Sequence, residues 1–338
     1  MNHRKTSIHV KAPGFFTTVQ DKGRIGFQQF GMPVAGAIDQ DSYEIGQALV
    51  GNSTCQGAFE CTILPPTLEV NGYAVIAFTG ADMNPMINGV SVPLYIPFLC
   101  RPGDVISGAY VTEGMRMYIS FRGGIDVPVI NDSVSTHTKA RIGGYKGRHL
   151  LAGDVLCLQE VDEDLSIRET FILNHGAVLN NTAIQSYTVE DLRHPIRVIL
   201  GPQHGAFTEA GINTFSQEYF EVTPQCDRMG MRLSGPVIEH ATTADIISDG
   251  AVFGSIQVPA DGQPIILMAD RQTTGGYTKI GTVITADLSR LSQMPIGHAV
   301  RFKIITVEEG QEKYRVYRHR LDKILQVAKG QSCYVFSV

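Results

Sequence analysis

The sequence predicts a mainly β protein whose short strands form closed or sandwich-like sheets. The first observation is a series of short apolar runs bounded by turn residues, such as residues 67–72, 115–121 and 196–200. The second is the supply of turn residues, since the chain contains 35 glycines and 16 prolines. The third is the scarcity of long stretches with helical periodicity. Closed or sandwiched sheets leave few exposed strand edges, which favours them for many short strands.

The length of 338 residues predicts two domains, and a hydrophobic content of 43% against 18% charged residues is enough for a sizeable core. The polar, weakly periodic residues 174–194 are the best candidate linker. We therefore place the first domain at residues 1–185 and the second at 186–338. Residues 21–33 and 227–236 share an Asp, an Arg and a Gly/Pro turn, which favours an internal duplication of barrel-like domains.

Strands are predicted for each apolar alternation, in order residues 67–72, 73–78, 115–121, 196–200, 264–268 and 299–305. Asn71-Gly72 and Asn88-Gly89 are dipeptides typical of hairpin turns. Three further strands follow a Gly-Asp or Gly-His turn, at residues 103–104, 153–154 and 297–298.

Three helices are predicted. Residues 40–50 place Ile45, Ala48 and Leu49 on one face and end before Gly51-Asn52. Residues 208–217 form the second helix. Residues 306–328 form a charged third helix with apolar residues at Tyr314, Tyr317, Leu321 and Leu325.

Charge and hydropathy exclude several classes of protein. The net charge is −5 and no block is rich in Lys or Arg, so nothing indicates binding to nucleic acid or to a membrane surface. The longest apolar runs have the length of strands, and no apolar segment follows the first charged residues as in a secretory signal. The six cysteines include no CxxC pair, which favours free thiols in a reducing cytoplasm over disulfides or a zinc site.

Residues 268–279 form the most polar segment that follows a predicted strand. Such dense polar groups at a strand end cost desolvation and conformational entropy. A site for a polar, planar ligand would require them, although a hairpin turn with incidental charges would also contain polar residues. The segment combines an acid, two cations, an amide, two hydroxyls and a glycine pair, in order Asp270, Arg271, Gln272, Thr273, Thr274, Gly275, Gly276 and Lys279.

The first half of the chain contains a run of similar composition at residues 13–24, which includes Gln20, Asp21 and Arg24. Asn52 follows a glycine, where the backbone can turn tightly.

Two acidic residues in this half of the chain each have two alternative roles. Glu60 lies in an apolar segment and is either a paired core carboxylate or a site carboxyl with a raised pKa. Asp82 follows an apolar strand and is either a cleft acid or a turn residue.

Arg122 precedes Gly123-Gly124, and glycines allow an anion to approach backbone N–H groups. His204 could be a general base, a ligand or a histidine that bonds its own turn. Asp227, Arg228 and Gln257 add further groups of the same kind.

Several catalytic motifs are absent from the sequence. It contains no GxxxxGK[ST], GxGxxG, GxSxG or HExxH motif, and no metal site is predicted. If the chain handles ATP, it does so without a P-loop. The residues present favour recognition of amides and anions by Asp, Arg, Gln, Lys and backbone N–H groups.

The same runs resemble one family. The resemblance covers residues 13–303 and depends above all on IQVPADGQP at 256–264 and ADRQTTGGY at 269–277, together with the runs at 17–24, 51–52, 122–128, 201–202 and 227–230. These resemble the KipA family of biotin-dependent carboxyltransferase-like proteins, also called allophanate hydrolase subunit 2. Its members include the C subunit of 5-oxoprolinase and the carboxyltransferase part of urea carboxylase.

The resemblance implies two cyclophilin-like β-barrel domains with few short helices and an interdomain cleft. It implies a cytoplasmic enzyme component that opens 5-oxo-L-proline to L-glutamate, with ATP used by the complex. The partners would be a B subunit of the KipI type and an A subunit of the LamB type, and the resemblance is compatible with a homo-oligomer of heterodimers. One alternative is a carboxyltransferase that acts on urea or a related amide, with biotin on a separate carrier. Another is a non-catalytic regulator of a KipI-type kinase inhibitor.

On the oxoprolinase hypothesis, four residues are expected to be catalytic, namely Asp270, Lys279, Asp82 and Glu60. The expected substrate-binding residues are Gln20, Asp21, Arg24, Asn52, Arg122, His204, Asp227, Arg228, Gln257, Arg271, Gln272, Gly275, Gly276 and Tyr277. The sequence departs from the family at Val134, where an arginine is usual, and at Thr278, where a proline is usual. Valine cannot bind an anion as arginine does. The departure at Val134 therefore leaves two alternatives, a different substrate or an anion contact at another position.

Overall fold

The computed structural model describes residues 5–53, 55–161, 170–172, 194–331 and 335–337. Contacts divide the chain into two units, each made of more than one segment. Unit 1 comprises Met1–Gly23, Asp39–Thr188 and Leu321–Val338, and unit 2 comprises Arg24–Ile38 and Val189–Arg320. The predicted boundary at 185/186 lies outside the described residues, as does the predicted linker except for its last residue.

Unit 1 contains two seven-stranded sheets, in the orders β11-β12-β1-β4-β9-β6-β7 and β13-β24-β8-β5-β10-β3-β2. Their strands are β1 (Ser7–Ala12), β2 (Phe16–Gln20), β3 (Ala58–Thr62), β4 (Thr67–Asn71), β5 (Ala74–Asp82), β6 (Met86–Ile87), β7 (Val90–Ser91), β8 (Pro97–Cys100), β9 (Val105–Ser107), β10 (Glu113–Phe121), β11 (Ile125–Asp126), β12 (Val155–Leu158), β13 (Thr170–Ile172) and β24 (Val335–Ser337).

Side chains from both sheets of unit 1 meet in one hydrophobic core, which includes Val70 and Ile106 of the first sheet and Phe59 and Phe121 of the second. The rings of Phe59 and Phe121 pack edge to face, with 5.5 Å between their centroids.

Helix α1 (Gln40–Leu49) begins at Asp39, whose carboxylate accepts a hydrogen bond from the backbone N–H of Ser42 at 3.1 Å. It packs on β5 and β10 through Gly46. A Cβ atom on Gly46 would lie 2.5 Å from Oγ of Ser120, so only glycine allows this close approach.

Unit 2 contains an eight-stranded sheet in the order β22-β15-β16-β19-β18-β21-β14-β23 and a two-stranded sheet of β17 and β20. Its strands are β14 (Ile196–Leu200), β15 (Phe220–Val222), β16 (Gly230–Ser234), β17 (Asp245–Gly250), β18 (Ser255–Gln257), β19 (Ile265–Leu267), β20 (Thr274–Tyr277), β21 (Lys279–Val283), β22 (Ala299–Val300) and β23 (Phe302–Ile304). Among the described residues, its helical segments include α2 (Glu209–Gln217), α3 (Thr285–Ser292) and the 3-10 turns Gln28–Phe30 and His204–Ala206.

The core of unit 2 is built around Phe302, whose ring stacks on Phe215 of α2 at 4.5 Å and contacts Phe220 of β15 at 6.0 Å. Thr208 caps α2 by accepting from the N–H of Gly211. The last helix, α4 (Val307–Gln331), contains the boundary between the two units, which falls after Arg320.

The prediction of a mainly β protein is confirmed, with four α-helices in the described part of the chain. All three predicted helices are present, and the predicted face of α1 is buried. The predicted face of α4 is partly wrong, because Tyr314 is 46% exposed while Ile324 and Ala328 are buried. Helix α3 was not predicted, since its eight residues are too few to show a clear period.

The two Asn-Gly dipeptides have different outcomes. Asn88 and Gly89 both have positive φ, at 53° and 80°, and connect the paired strands β6 and β7 as predicted. The prediction for Asn71-Gly72 is wrong, because β4 and β5 belong to different sheets. The dipeptide determines a local turn, whereas the partner of each strand is determined by the core.

The described helices include none that combines the length and the apolar character needed to cross a bilayer.

Candidate functional site

Residues 268–279 follow β19, include β20 and end at Lys279, the first residue of β21, so the most polar segment borders a strand as the sequence predicts. Its first part is fixed to residues 228–229 by two backbone hydrogen bonds. The N–H of Met268 donates to the carbonyl of Met229 at 2.9 Å, and that of Asp270 to the carbonyl of Arg228 at 2.8 Å. Strand β20 pairs with β17 in a two-stranded ribbon.

Lys279 is held at two points although only 6% of its surface is exposed. Its Nζ donates to Oδ2 of Asp249 at 2.9 Å, and its backbone N–H donates to Oε1 of Gln203 at 2.9 Å. The Nε2 of Gln203 also donates to Oδ2 of Asp249 at 2.9 Å. The ammonium group is therefore preorganised by an acid and an amide.

Asp249 is anionic in this arrangement. The hydrogen bond from Lys279 is the main cause that lowers the pKa of the Asp249 carboxyl, followed by the bond from the N–H of Gly250.

Gln257 is paired with Lys279 between β18 and β21, at a register shift that follows Ile256. Both side chains reach the β17–β20 ribbon, since Lys279 bonds Asp249 and Gln257 lies against Gly275, the residue paired with Asp249. Gln257 is 6% exposed, and its buried Nε2 has no hydrogen-bond partner among the described residues. Buried amide groups normally have partners, so this carboxamide is a candidate for binding a ligand.

Gly275 provides the space for this carboxamide. A Cβ atom on Gly275 would lie 2.2 Å from Nε2 of Gln257, and Gly275 is paired with Asp249 across the ribbon. We call Gln203, Asp249, Gln257, Gly275 and Lys279 the amide cluster.

Asp270 lies in a buried ion pair with Arg228. The guanidinium donates from Nη2 to Oδ1 of Asp270 at 2.8 Å and from Nε to Oδ2 at 3.1 Å, and Nη2 also donates to the carbonyl of Gly36. Both side chains are less than 10% exposed. This geometry gives Asp270 and Arg228 a structural role in joining three segments of unit 2.

Other predicted residues of unit 2 occupy turns or the surface. The carboxylate of Asp227 accepts from the N–H groups of Met229 and Gly230, which is an Asx turn. Nδ1 of His204 lies 2.7 Å from the carbonyl oxygen of Gly201. Of the three roles considered for His204, this contact agrees with a histidine that bonds its own turn. Gln272 and Tyr277 are exposed, and Gly276 is half-buried.

Besides Arg228, two other arginines of unit 2 that were expected to bind substrate are buried. Arg24 is fully buried, and its backbone N–H donates to the carbonyl of Val34 at 2.7 Å. Arg271 is 6% exposed, and its Nε donates to the carbonyl of Ala251 at 3.2 Å.

In unit 1, Asp21 organises the loop at residues 133–135. Its carboxylate accepts from the N–H of Val134 at 2.7 Å and from the hydroxyls of Ser133 and Ser135. The side chain of Val134 is 3% exposed and belongs to the core of unit 1. A Cβ on Gly57 would lie 3.1 Å from its Cγ2. Val134 therefore fills the core, where a charged arginine would need a partner.

Asn52 and Arg122 lie in the wall of a pocket of about 440 Å³ in unit 1. The Nδ2 of Asn52 donates to Oε1 of Gln47 and to the carbonyl of Phe121, both at 2.7 Å, and its Oδ1 accepts from Gly123. Asn52 therefore connects the end of α1 to the end of β10.

The remaining predicted residues of unit 1 differ in environment. Gln20 is fully buried and donates to the hydroxyl of Thr18 and the carbonyl of Thr136, while its buried Oε1 has no partner in the described segments. Glu60 accepts from the hydroxyl of Tyr118 at 2.7 Å, and burial raises the pKa of that phenol, which keeps it protonated. Asp82 is exposed and accepts from the N–H of Asn84, as a turn residue does.

The structure thus brings together Gln257, Gly275 and Lys279 of the predicted set, and adds Gln203 and Asp249. From the run at residues 201–205, the sequence predicted a site role for His204. In the structure, it is the amide of the neighbouring Gln203 that bonds Lys279 and Asp249. In the sequence, Asp249 precedes a glycine and resembles a turn residue. Its place in the site becomes visible only through the pairing of β17 with β20, which brings it to Lys279.

Five cysteines lie in the described segments, and all are free thiols, as predicted; Cys333 lies outside them. Burial raises the pKa of the Cys61 and Cys100 thiols, which makes both poor nucleophiles. No group of three or more His, Cys, Asp or Glu residues that could hold a metal ion occurs among the described residues.

The family model of the carboxyltransferase domain, subdomain A and B, matches residues 30–304, which include the whole amide cluster. The chain belongs to this carboxyltransferase family. Two similar relatives are named as the C subunit of 5-oxoprolinase. That of Escherichia coli (strain K12) is 34% identical over 304 residues, or 88% of this chain and 90% of the relative. That of Haemophilus influenzae is 33% identical over 310 residues, or 92% and 95%.

Among solved structures, the urea amidolyase of K. lactis matches this carboxyltransferase chain with a TM-score of 0.85 and 28% identity. The match covers 96% of this chain and 20% of the urea amidolyase, so the chain corresponds to about a fifth of that larger protein.

Proposed function

We propose that this chain is the C subunit of a 5-oxoprolinase, which opens 5-oxo-L-proline to L-glutamate. The observation that carries the proposal is the buried carboxamide of Gln257, whose Nε2 has no hydrogen-bond partner among the described residues and which lies beside Lys279. The two relatives named for 5-oxoprolinase support it, because they match along almost their whole length.

A carboxamide is complementary to a lactam. The ring amide of 5-oxoproline is cis and presents its N–H and C=O on the same side, so Nε2 of Gln257 would donate to the lactam oxygen and Oε1 would accept from its N–H. The ammonium of Lys279 would then stabilise negative charge as it develops on the lactam oxygen. Asp249 and Gln203 would keep the ammonium in place during the reaction.

The lactam is a poor electrophile, so the reaction needs activation. Overall, the ring C–N bond breaks, water supplies the hydroxyl of the new carboxylate, the amine nitrogen takes a proton, and ATP is hydrolysed to ADP and phosphate by a second water. We propose that partners of the KipI and LamB types complete this reaction, which accords with the relatives' names, since each is named as one subunit of a larger enzyme.

The test is reconstitution with cognate KipI-type and LamB-type partners and measurement of ATP-dependent glutamate formation. We expect Gln257→Leu to reduce kcat/KM about 10- to 1000-fold, since a site that hydrogen-bonds its substrate loses up to a few kcal/mol without that group. Gln217→Leu is the matched control, because Gln217 is exposed at the end of α2 in the same unit. Full activity of Gln257→Leu, or no glutamate formation with the wild-type set, would contradict the proposal.

Carboxyl transfer to urea is a second candidate, favoured by the match to the urea amidolyase. Urea and the ureido ring of biotin present the same N–H and C=O groups as a lactam, so the Gln257 carboxamide fits either one. Biotin would supply an activated carboxyl group from a separate carrier. Incubation with a carboxylated biotin carrier and urea distinguishes the candidates, since 5-oxoprolinase activity predicts no carboxyl transfer to urea.

A further inference from the structure

The half-buried side chain of His240 joins the end of β18 to the start of β21. Its Nε2 lies 3.1 Å from the carbonyl oxygen of Val258 and 3.1 Å from Oγ1 of Thr278. Because a carbonyl oxygen can only accept, Nε2 carries the hydrogen and donates it, and the hydroxyl shares the bond. Val258 directly follows Gln257, and Thr278 directly precedes Lys279. One imidazole therefore contacts the chain neighbours of both groups proposed to hold the lactam.

The ring of His240 also packs on Phe207, with 4.6 Å between the two centroids. The two residues form an isolated antiparallel bridge, and the N–H of Ala241 donates to the carbonyl of Ala206 at 2.9 Å. Phe207 is buried and ends the 3-10 turn that begins after Gln203 of the amide cluster. His240 is thus fixed by its backbone and its ring against a third segment that contributes to this cluster.

The contact lies where the pairing of β18 with β21 is irregular. The register shift after Ile256 leaves Gln257 opposite Lys279, and beyond it the N–H of Val258 donates to the carbonyl of Thr278 at 3.0 Å. A bulge of this kind interrupts the regular ladder and redirects the side chains beside it. The side-chain bond from His240 therefore supports the backbone at the point where the ladder alone supports it least.

We propose that His240 is a positioning residue for the amide cluster. By bonding Val258 and Thr278, it fixes the backbone beside Gln257 and Lys279 and with it the separation of the carboxamide from the ammonium. Misplacement of a binding group by about 1 Å can cost about 100-fold in rate, so a ligand held by both groups depends on this separation. The reaction that the pair serves rests on the proposed function, whereas the positioning of the pair does not.

The first test compares two substitutions of His240 in the reconstituted enzyme. His240→Phe keeps a ring against Phe207 and loses the N–H, whereas His240→Gln supplies an amide N–H at a similar distance from the backbone. We expect His240→Phe to lower kcat/KM about 10- to 100-fold with a raised KM, and His240→Gln to recover most of that loss. His319→Phe is the matched control, because His319 is an exposed histidine of α4 in the same unit. A smaller folded fraction would lower the apparent kcat and leave KM unchanged, so a raised KM reports on the site itself.

The second test is hydrogen exchange of the full chain, which requires no glutamate formation and so decides even if the proposed function fails. His240→Phe should exchange faster than the wild type at residues 256–258 and 278–280, because this part of the sheet opens locally, and His240→Gln should not. The proposal is overturned if His240→Phe exchanges like the wild type at these residues, or if it leaves the KM of an active complex unchanged. Thermal unfolding shows whether His240→Phe is folded. If it is not, Thr278→Val decides by the same measurement, since it removes only the hydroxyl contact, with unchanged exchange as the contrary result.

Discussion

Gly275 lies directly against the side chain of Gln257, so that a Cβ atom on Gly275 would be 2.2 Å from Nε2 of the glutamine. The glycine is required here for close approach, since its φ is not in the left-handed region. The carboxamide occupies the space that any other side chain would fill. A single methyl group therefore tests the amide cluster without removing any of its polar groups.

Gly275→Ala is expected to displace the Gln257 carboxamide and to lower kcat/KM for 5-oxo-L-proline about 10- to 100-fold, because small displacements of a binding group have effects of this size. Gly205→Ala is the control, since a Cβ there would meet nothing within 4 Å. Steady-state kinetics of the reconstituted enzyme give both values. Equal activities of the two variants would show that the position of the carboxamide is unimportant.

Asp249→Asn is expected to lower kcat/KM about 10-fold by releasing the ammonium of Lys279, with little effect on stability because the carboxylate is exposed. Asp245→Asn, on the same strand, is the control. The pKa of Asp249 is lowered by Lys279, so the pair is intact above the ordinary aspartate pKa of about 3.9 and is lost as pH falls through the lowered value. A pH–rate profile that shows Asp249→Asn and wild type equally active near neutrality would contradict this role.

Asp270→Asn is expected to destabilise the protein by about 3–5 kcal/mol, because it leaves the buried guanidinium of Arg228 without its counter-charge. The double variant Arg228→Met/Asp270→Leu should recover much of that loss, since apolar replacement of a buried pair is often tolerated. Urea denaturation measures both. Unchanged stability of Asp270→Asn with abolished turnover would instead support the catalytic role predicted from the sequence.

Asp154→Asn is expected to destabilise unit 1 by about 1–3 kcal/mol, because Asp154 accepts two hydrogen bonds from Arg148, both at 2.7 Å, and one from the N–H of Leu151. The hydrogen bond from Arg148 is the main cause that lowers the pKa of Asp154. The stabilisation is therefore full above the unfolded pKa of about 3.9 and is lost as pH falls through the lower folded value. Denaturation at pH 7 and pH 2.5 should show a difference between variant and wild type that shrinks at low pH; a constant difference would contradict this account.

Part of the fold follows from local sequence. The face of α1 and the turn at Asn88-Gly89 depend on residues close in the chain, so their patterns predict them. The assignment of β4 and β5 to different sheets cannot be predicted from local sequence, because it depends on which distant strands pair with each of them. The short helix α3 shows the same limit, since eight residues carry little periodicity.

The candidate site divides in the same way. The sequence by itself identified the polar segment at residues 268–279 and the positions of Gln257 and Lys279, because dense polar residues next to strands are costly without a purpose. Only the tertiary structure decided their roles. It paired Asp270 with Arg228, 42 residues away, and brought Gln203 and Asp249 to Lys279 from 76 and 30 residues away. Partners at such separations are chosen by the packing of the sheets, which a local pattern does not encode.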